Sequence, residues 1–129
     1  MTPEPLSSRA KRLVAIRVMS RRLDHTTIEH ESWEKIFEHY DTPATFFFLD
    51  PPYLDSGGKN YDGWSEAGLA YFCEKVKALK ARWLFTFQNC KQVRQLMQGY
   101  PLKAIRRAKG IDNKKGKSST YEEVIITDR

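Results

Sequence analysis

No glycine precedes Gly57 in this 129-residue chain; the seven present are Gly57, Gly58, Gly63, Gly68, Gly99, Gly110 and Gly116. Glycine lets a backbone adopt positive φ and approach a ligand closely. Its absence therefore excludes a glycine-rich cofactor cradle from the first part of the chain. Cysteine is equally scarce. Cys73 and Cys90 are too few for a disulfide framework and lack zinc-site spacing. Cys73 falls on the apolar side of an expected helix and reads as a reduced core thiol. His25, His30 and His39 share no ligand spacing with acids, so no metal is expected. With no long apolar run and a mean hydropathy of -0.62, a transmembrane span is excluded. The start, Met1-Thr2-Pro3-Glu4-Pro5, lacks the basic and apolar parts of a secretion signal. The expected setting is cytoplasmic, with no membrane partner.

What is present is a modest core and much positive charge. The 40% hydrophobic and 12% aromatic content argues for folding, and the length for one domain at most. A net charge of +6 and a pI near 9.4 favour a polyanionic partner. The charge is clustered. Arg9, Lys11, Arg12, Arg17, Arg21 and Arg22 have no acid between them, and a second group runs Lys103, Arg106, Arg107, Lys109, Lys114, Lys115 and Lys117. Glu29, Glu31, Glu34, Glu38 and Asp41 lie between the two. The first group reads equally as a solvated face. The second spans a loop joining two expected strands, which makes it more telling.

The coarse pattern alternates helices and strands, as an α/β domain does. Residues 7–22 read as a basic helical segment, with Leu13, Ile16, Met19 and Leu23 near one face. A short strand is expected at 26–29. Ser32 can cap a helix bearing Trp33, Ile36, Phe37 and Tyr40. A strand at 44–49 follows, and Ser65 opens a helix with Leu69, Phe72, Cys73, Val76 and Leu79 at helical spacing. A strand at 82–87 leads to Asn89 and Gln92, which resemble a capping box. Strands at 102–108 and 121–127 should form a C-terminal hairpin.

The chemistry concentrates in Asp50-Pro51-Pro52-Tyr53, directly after the apolar run Thr45-Phe46-Phe47-Phe48-Leu49. Open α/β sheets bind ligands at the carboxyl ends of such strands. Each proline has a fixed φ, carries no N–H and keeps the preceding residue extended. The Asp50 carboxylate and the Pro51 carbonyl thus form a stiff pair of acceptors. Their natural ligand is an amino group with two N–H bonds, such as the exocyclic amine of a base. Tyr53 adds a flat face for stacking, worth about 1–3 kcal/mol per base. A helix-capping Asp with a rigid turn and a packing Tyr is the plainer reading of the same residues. The segment 54–64 reads as a loop over the site, in which Lys59, Tyr61 and Trp64 close on a nucleotide or Trp64 packs under the next helix. Trp33 and Trp83 read as core anchors.

Phe46-Phe47-Phe48-Leu49-Asp50-Pro51-Pro52-Tyr53 resembles the catalytic motif of the Dam-like, S-adenosylmethionine-dependent DNA N6-adenine methyltransferases. Ile28-Glu29-His30-Glu31-Ser32-Trp33 with Tyr40-Asp41-Thr42-Pro43 is similar to the segment preceding the motif there. Leu84-Phe85-Thr86-Phe87-Gln88-Asn89 and Glu123-Val124-Ile125-Ile126-Thr127 resemble its next and closing strands. The likeness spans roughly residues 20–129. It implies a partial Rossmann-like methyltransferase fold over residues 1–129, with 1–22 as the basic segment leading in. It implies S-adenosylmethionine as cofactor, DNA as partner, and catalytic roles for Asp50, Pro51, Pro52 and Tyr53. Asp50 would lie near the methionine end of the cofactor. Ser32 stands where many relatives carry an acid that contacts its adenosine. Lys59, Tyr61, Lys109, Lys114, Lys115 and Lys117 would contact DNA.

The family's first strand and its Phe-x-Gly-x-Gly loop have no counterpart in this sequence, and neither does its target-recognition insert. The fold expected is therefore α/β but lacks the N-terminal glycine-loop strands. A second chain supplying that half, or a truncated remnant, are the two consequences. Against adenine methylation stand two further readings: a catalytically dead nucleic-acid-binding remnant, and a methyltransferase of RNA base amines.

Overall fold

The computed structural model describes residues 7–54, 64–108 and 120–129. The chain divides into two compact units, Met1–Trp33 and Glu34–Arg129. The first contains helix α1 (Ser8–Leu23). Ser7 caps it, its hydroxyl accepting the Ala10 N–H at 3.2 Å, and Arg21 and Arg22 sit in the last turn, where cations suit the helix dipole. None of its residues is buried. Basic and apolar side chains alternate around the axis, so Leu13, Ile16, Met19 and Leu23 do not form the buried stripe expected of them. The strand expected at 26–29 does not form: residues 26–32 carry no regular structure. A strand exists only within a ladder. No pairing of the sheet reaches this stretch, and Ile28 is 81% exposed.

The second unit carries α2 (Trp33–Tyr40, its first residue excepted), β1 (Phe46–Leu49), α3 (Glu66–Lys77), β2 (Arg82–Gln88), α4 (Lys91–Leu96), β3 (Leu102–Ala108) and β4 (Thr120–Thr127). The sheet order is β1-β2-β4-β3. β1 runs parallel to β2, whereas β4 is antiparallel to both β2 and β3, so the expected C-terminal hairpin is present. The result is a mixed α/β unit with a four-stranded sheet.

Side-chain alternation decides what each strand buries. Phe47 and Leu49 of β1, Trp83, Phe85 and Phe87 of β2, and Val124 and Ile126 of β4 are all buried. Aromatic contacts join them to the helices. Phe37 of α2 lies 5.1 Å from Phe47 and 6.0 Å from Phe72 of α3, centroid to centroid. Phe72 in turn meets Phe85 at 5.4 Å. Leu69, Cys73 and Val76 of α3 and Val93 of α4 complete this side. The other residues of β1 face away: Phe46 and Phe48 are 60% and 66% exposed.

Local signals explain the joints. Asp41, just past α2, accepts the backbone N–H groups of Lys80 and Ala81 through Oδ1, both at 2.8 Å, and so ties the approach to β1 to the approach to β2. Ser65 caps α3 as expected, accepting from the Gly68 N–H at 3.1 Å. The capping box expected from Asn89 and Gln92 is not formed. The Asn89 amide donates to Glu122 Oε2 at 2.9 Å and its oxygen accepts from Arg94, while Gln92 donates to Glu66. Cys90 occupies the cap position without a side-chain bond. Arg94 takes the Asn89 oxygen and Glu66 the Gln92 amide, so neither is left for the cap, and the helix starts one residue later.

Phe72→Ala should destabilise the second unit by about 3–5 kcal/mol, the usual cost of deleting a buried ring, measured by denaturant unfolding. Burial also pushes the Cys73 thiol up to about 11. Limited alkylation of the native protein at mildly alkaline pH should therefore label the half-buried Cys90 first and reach Cys73 only on unfolding, as read by peptide mass spectrometry.

Candidate active site

β1 ends at Leu49, and the chain leaves the sheet through Asp50, Pro51, Pro52 and Tyr53. The parallel register pairs Leu49 with Phe85, so Thr86 is the next residue along β2 beside Asp50. The Thr86 hydroxyl donates to Asp50 Oδ1 at 3.1 Å and lies 3.4 Å from the Leu49 carbonyl. Asp50 is exposed, and its Oδ2 takes no hydrogen bond among the described residues. One oxygen is thus oriented by β2 while the other remains open to a ligand. Neither Asp50 nor the prolines caps or enters a helix, which disfavours the reading of the motif as a capping turn.

Tyr53 is half-buried and reaches across the sheet. Its ring lies 5.5 Å from that of Phe87 on β2, centroid to centroid, with the planes 73° apart. Its hydroxyl donates to Glu123 Oε1 on β4. Glu123 Oε2 also receives Arg107 Nε of β3 at 2.5 Å. Burial first, then the Glu123 hydrogen bond and charge, with smaller effects of Tyr121 and Asp50, hold the Tyr53 phenol well above its ordinary range. Next to this pair, Glu122 accepts from Asn89 and from Arg106 at 3.4 Å, and these bonds hold its carboxyl below the usual carboxylate range.

The structure thus brings Asp50, Pro51, Pro52 and Tyr53 together at one strand end and adds three residues the motif did not name: Thr86, Glu123 and Arg107. Their signal in the sequence was faint. Thr86 is a polar residue between two phenylalanines, Glu123 one of two adjacent acids ahead of an apolar run, and Arg107 one basic residue among several. Ser32 belongs to the first unit and is exposed just before α2. Lys59, Tyr61, Lys109, Lys114, Lys115 and Lys117 lie outside the described residues. Trp64 packs edge-on against Phe72 at 4.9 Å, which favours its packing role. Trp83 is buried and Trp33 half-buried. Among the described residues no group of three His, Cys, Asp or Glu could hold a metal ion, and no helix is long and apolar enough to cross a membrane.

A family model of the D12 class N6 adenine-specific DNA methyltransferases matches residues 5–123. The match extends over nearly the whole chain, through α1, the strand-end motif and most of the hairpin. The chain belongs to this family of enzymes, which transfer a methyl group to adenine N6 in DNA. That finding favours the DNA class over the methylation of RNA base amines. No curated protein matches the chain.

Because the folded state favours the neutral Tyr53 phenol, the stability this supplies is complete below the unfolded phenol's pKa of about 10 and is lost as pH rises beyond it. Tyr53→Phe should accordingly lose less stability than the wild type between about pH 9 and 11, as followed by thermal melts across that range.

Proposed function

We propose that this chain carries the catalytic part of an adenine-N6 DNA methyltransferase, with residues 1–129 as a partial Rossmann-like methyltransferase domain entered through the basic segment 1–22. The observation that carries the reading is an open carboxylate at the end of an inner-facing apolar strand, oriented by Thr86 and followed by a ring fixed against the sheet. A target adenine must leave the duplex to be methylated, at a cost of a few kcal/mol. Asp50 Oδ2 and the Pro51 carbonyl then accept its two amine hydrogens, which favours lone-pair density on the nitrogen over delocalisation into the ring. Tyr53 stacks on the base. Pro52 keeps Pro51 extended so that its carbonyl stays available. The help is positioning and preorganised electrostatics, and no covalent enzyme intermediate is required.

S-adenosylmethionine fits this donor set in part. An exposed carboxylate suits the positively charged methionine end, so Asp50 is the group to hold it, with Ser32 as the contact toward adenosine. When bound, it supplies the methyl group. The backbone cradle for the rest of the cofactor needs glycines that this sequence does not have before Gly57. We assign that cradle to strands carried outside these residues, on a second polypeptide. Two features support this: β1 is the outermost strand of the described sheet, and its Phe46 and Phe48 are largely exposed. An unpaired apolar edge of this kind is normally covered. DNA phosphates are the partners proposed for Lys59, Lys109, Lys114, Lys115 and Lys117, with Tyr61 closing on a nucleotide; such contacts position without reading sequence. A cytoplasmic location accords with this substrate.

The missing glycine cradle also favours a second reading, a nucleic-acid-binding remnant without activity. Labelled methyl transfer from S-adenosylmethionine to duplex DNA separates the two, with the purified chain alone and with candidate partner chains. Transfer should occur and fall about 10²-fold or more in Asp50→Ala. Thr86→Val should cost about 2–10-fold, the worth of one orienting hydrogen bond. DNA binding without cofactor binding or transfer under any of these conditions would establish the remnant, and full transfer by Asp50→Ala would remove Asp50 from the mechanism.

A further inference from the structure

Stacking uses the face of the Tyr53 ring and leaves its hydroxyl without a task, yet that hydroxyl is engaged. It donates to Glu123, whose second oxygen is taken by Arg107 at 2.5 Å. The Phe87 ring lies 5.5 Å away, centroid to centroid, with the two planes 73° apart. The three contacts come from β2, β3 and β4, while the residue they hold follows β1. A tyrosine ring has only two side-chain torsions, so fixing its hydroxyl and one ring contact fixes its plane. The strand register accounts for the arrangement. Glu123 lies opposite Gln88 of β2 and Ile105 of β3, and Arg107 opposite Tyr121, which makes Arg107 and Glu123 diagonal neighbours on one side of the hairpin. The Glu123 side chain is only 14% exposed, against 56% for Arg107. A half-sequestered carboxylate is costly unless both oxygens are satisfied, and here Tyr53 and Arg107 satisfy them.

We propose that Glu123 is a positioning residue: its carboxylate, held by Arg107, clamps the Tyr53 hydroxyl and so sets the ring in the plane on which the extruded adenine stacks. The inference rests on the adenine-site reading above and deepens it. The final hairpin then does more than close the sheet, because it orients the base-binding ring of a residue some seventy positions earlier. Asp50 is held from β2 by Thr86, and Tyr53 from β3 and β4 by Glu123 and Arg107. The acceptor of the amine and the stacking face are thereby aligned by separate strands of one rigid sheet.

Two measurements on the full chain test this. The first is tyrosine ionisation by near-ultraviolet absorbance at about pH 11, above the ordinary phenol pKa of about 10, with Tyr53→Phe identifying the Tyr53 signal. Tyr53 should be more ionised in Glu123→Gln, in which the carboxylate charge is gone and the acceptor shape kept, than in the wild type, with burial keeping part of the shift in both. Burial acts on it most, followed by Glu123, with smaller effects of Tyr121 and Asp50; Arg107 faces it only through its ion pair with Glu123. The second is affinity for two short DNA duplexes, one fully paired and one carrying a single unpaired 2-aminopurine, which costs little to extrude. The wild type should prefer the unpaired probe. Glu123→Ala and Tyr53→Phe should each lower that preference about 5-fold or more, and the double variant no further than either alone. Taking the ratio of the two affinities cancels any gain in general DNA affinity from the freed Arg107, and melting curves exclude global unfolding.

Tyr53 ionisation that is the same in wild type and Glu123→Gln would overturn the clamp. A preference lost in Tyr53→Ala but untouched in Glu123→Ala would reduce the contact to packing and overturn the positioning role. A wild type with no preference for the unpaired base, although the ionisation shift is present, would overturn the adenine-site reading and the positioning role with it, while the clamp itself stands.

Discussion

The ring contacts that run from Phe37 through Phe47 and Phe72 to Phe85 fix β1 and β2 beneath α2 and α3, and the geometry of the site follows from them. Burying Phe47 and Leu49 sets which way β1 faces, since a shift of one residue would turn Phe46 and Phe48 inward instead. With the register fixed, the next residue, Asp50, must emerge at the sheet's carboxyl end beside Thr86. Two prolines then deny the chain a helix or a further strand step. A carboxylate is left at the rim of a rigid sheet with one oxygen oriented and one open. Packing on one side of the sheet thus determines chemistry at its end.

Electrostatics completes the arrangement with few groups. Thr86 orients Asp50 without a charge, so the carboxylate keeps its capacity to accept an amine. On the hairpin, the acidic pair Glu122 and Glu123 is matched by Arg106 and Arg107, and Asn89 adds a bond to Glu122. Two arginines of the second basic group are here engaged within the fold. The chain's positive charge therefore divides into arginines that brace the site and others, notably along α1, that have no acidic partner in their own helix. The chain belongs to the adenine methyltransferase family, and its first part holds no glycine before Gly57.

Much of the fold was legible because local and global preferences agree. Ser65 before a run of helically spaced apolar residues gives α3, and alternation in Arg82–Gln88 gives β2 with its buried rings. The hairpin strands fall close to where their composition puts them. The failures share a cause. A strand at 26–29 has suitable residues but no ladder to join, α1 has apolar residues but no stripe, and Asn89 has the right chemistry for a cap but bonds the side chains of Glu122 and Arg94 instead. In each case the local pattern was sound, and the energy lay in contacts that a one-dimensional reading does not contain.

The sequence by itself determined the candidate acceptor group: an aspartate, two prolines and a tyrosine after an apolar strand, whose stiffness and acceptor chemistry are properties of those residues wherever the chain places them. It also determined that no glycine cradle stands before Gly57. Only the tertiary structure decided which residues orient that group. Thr86, Glu123 and Arg107 lie far from the motif along the chain and meet it through parallel and antiparallel strand registers, and a register is fixed by what the opposite face of the sheet buries.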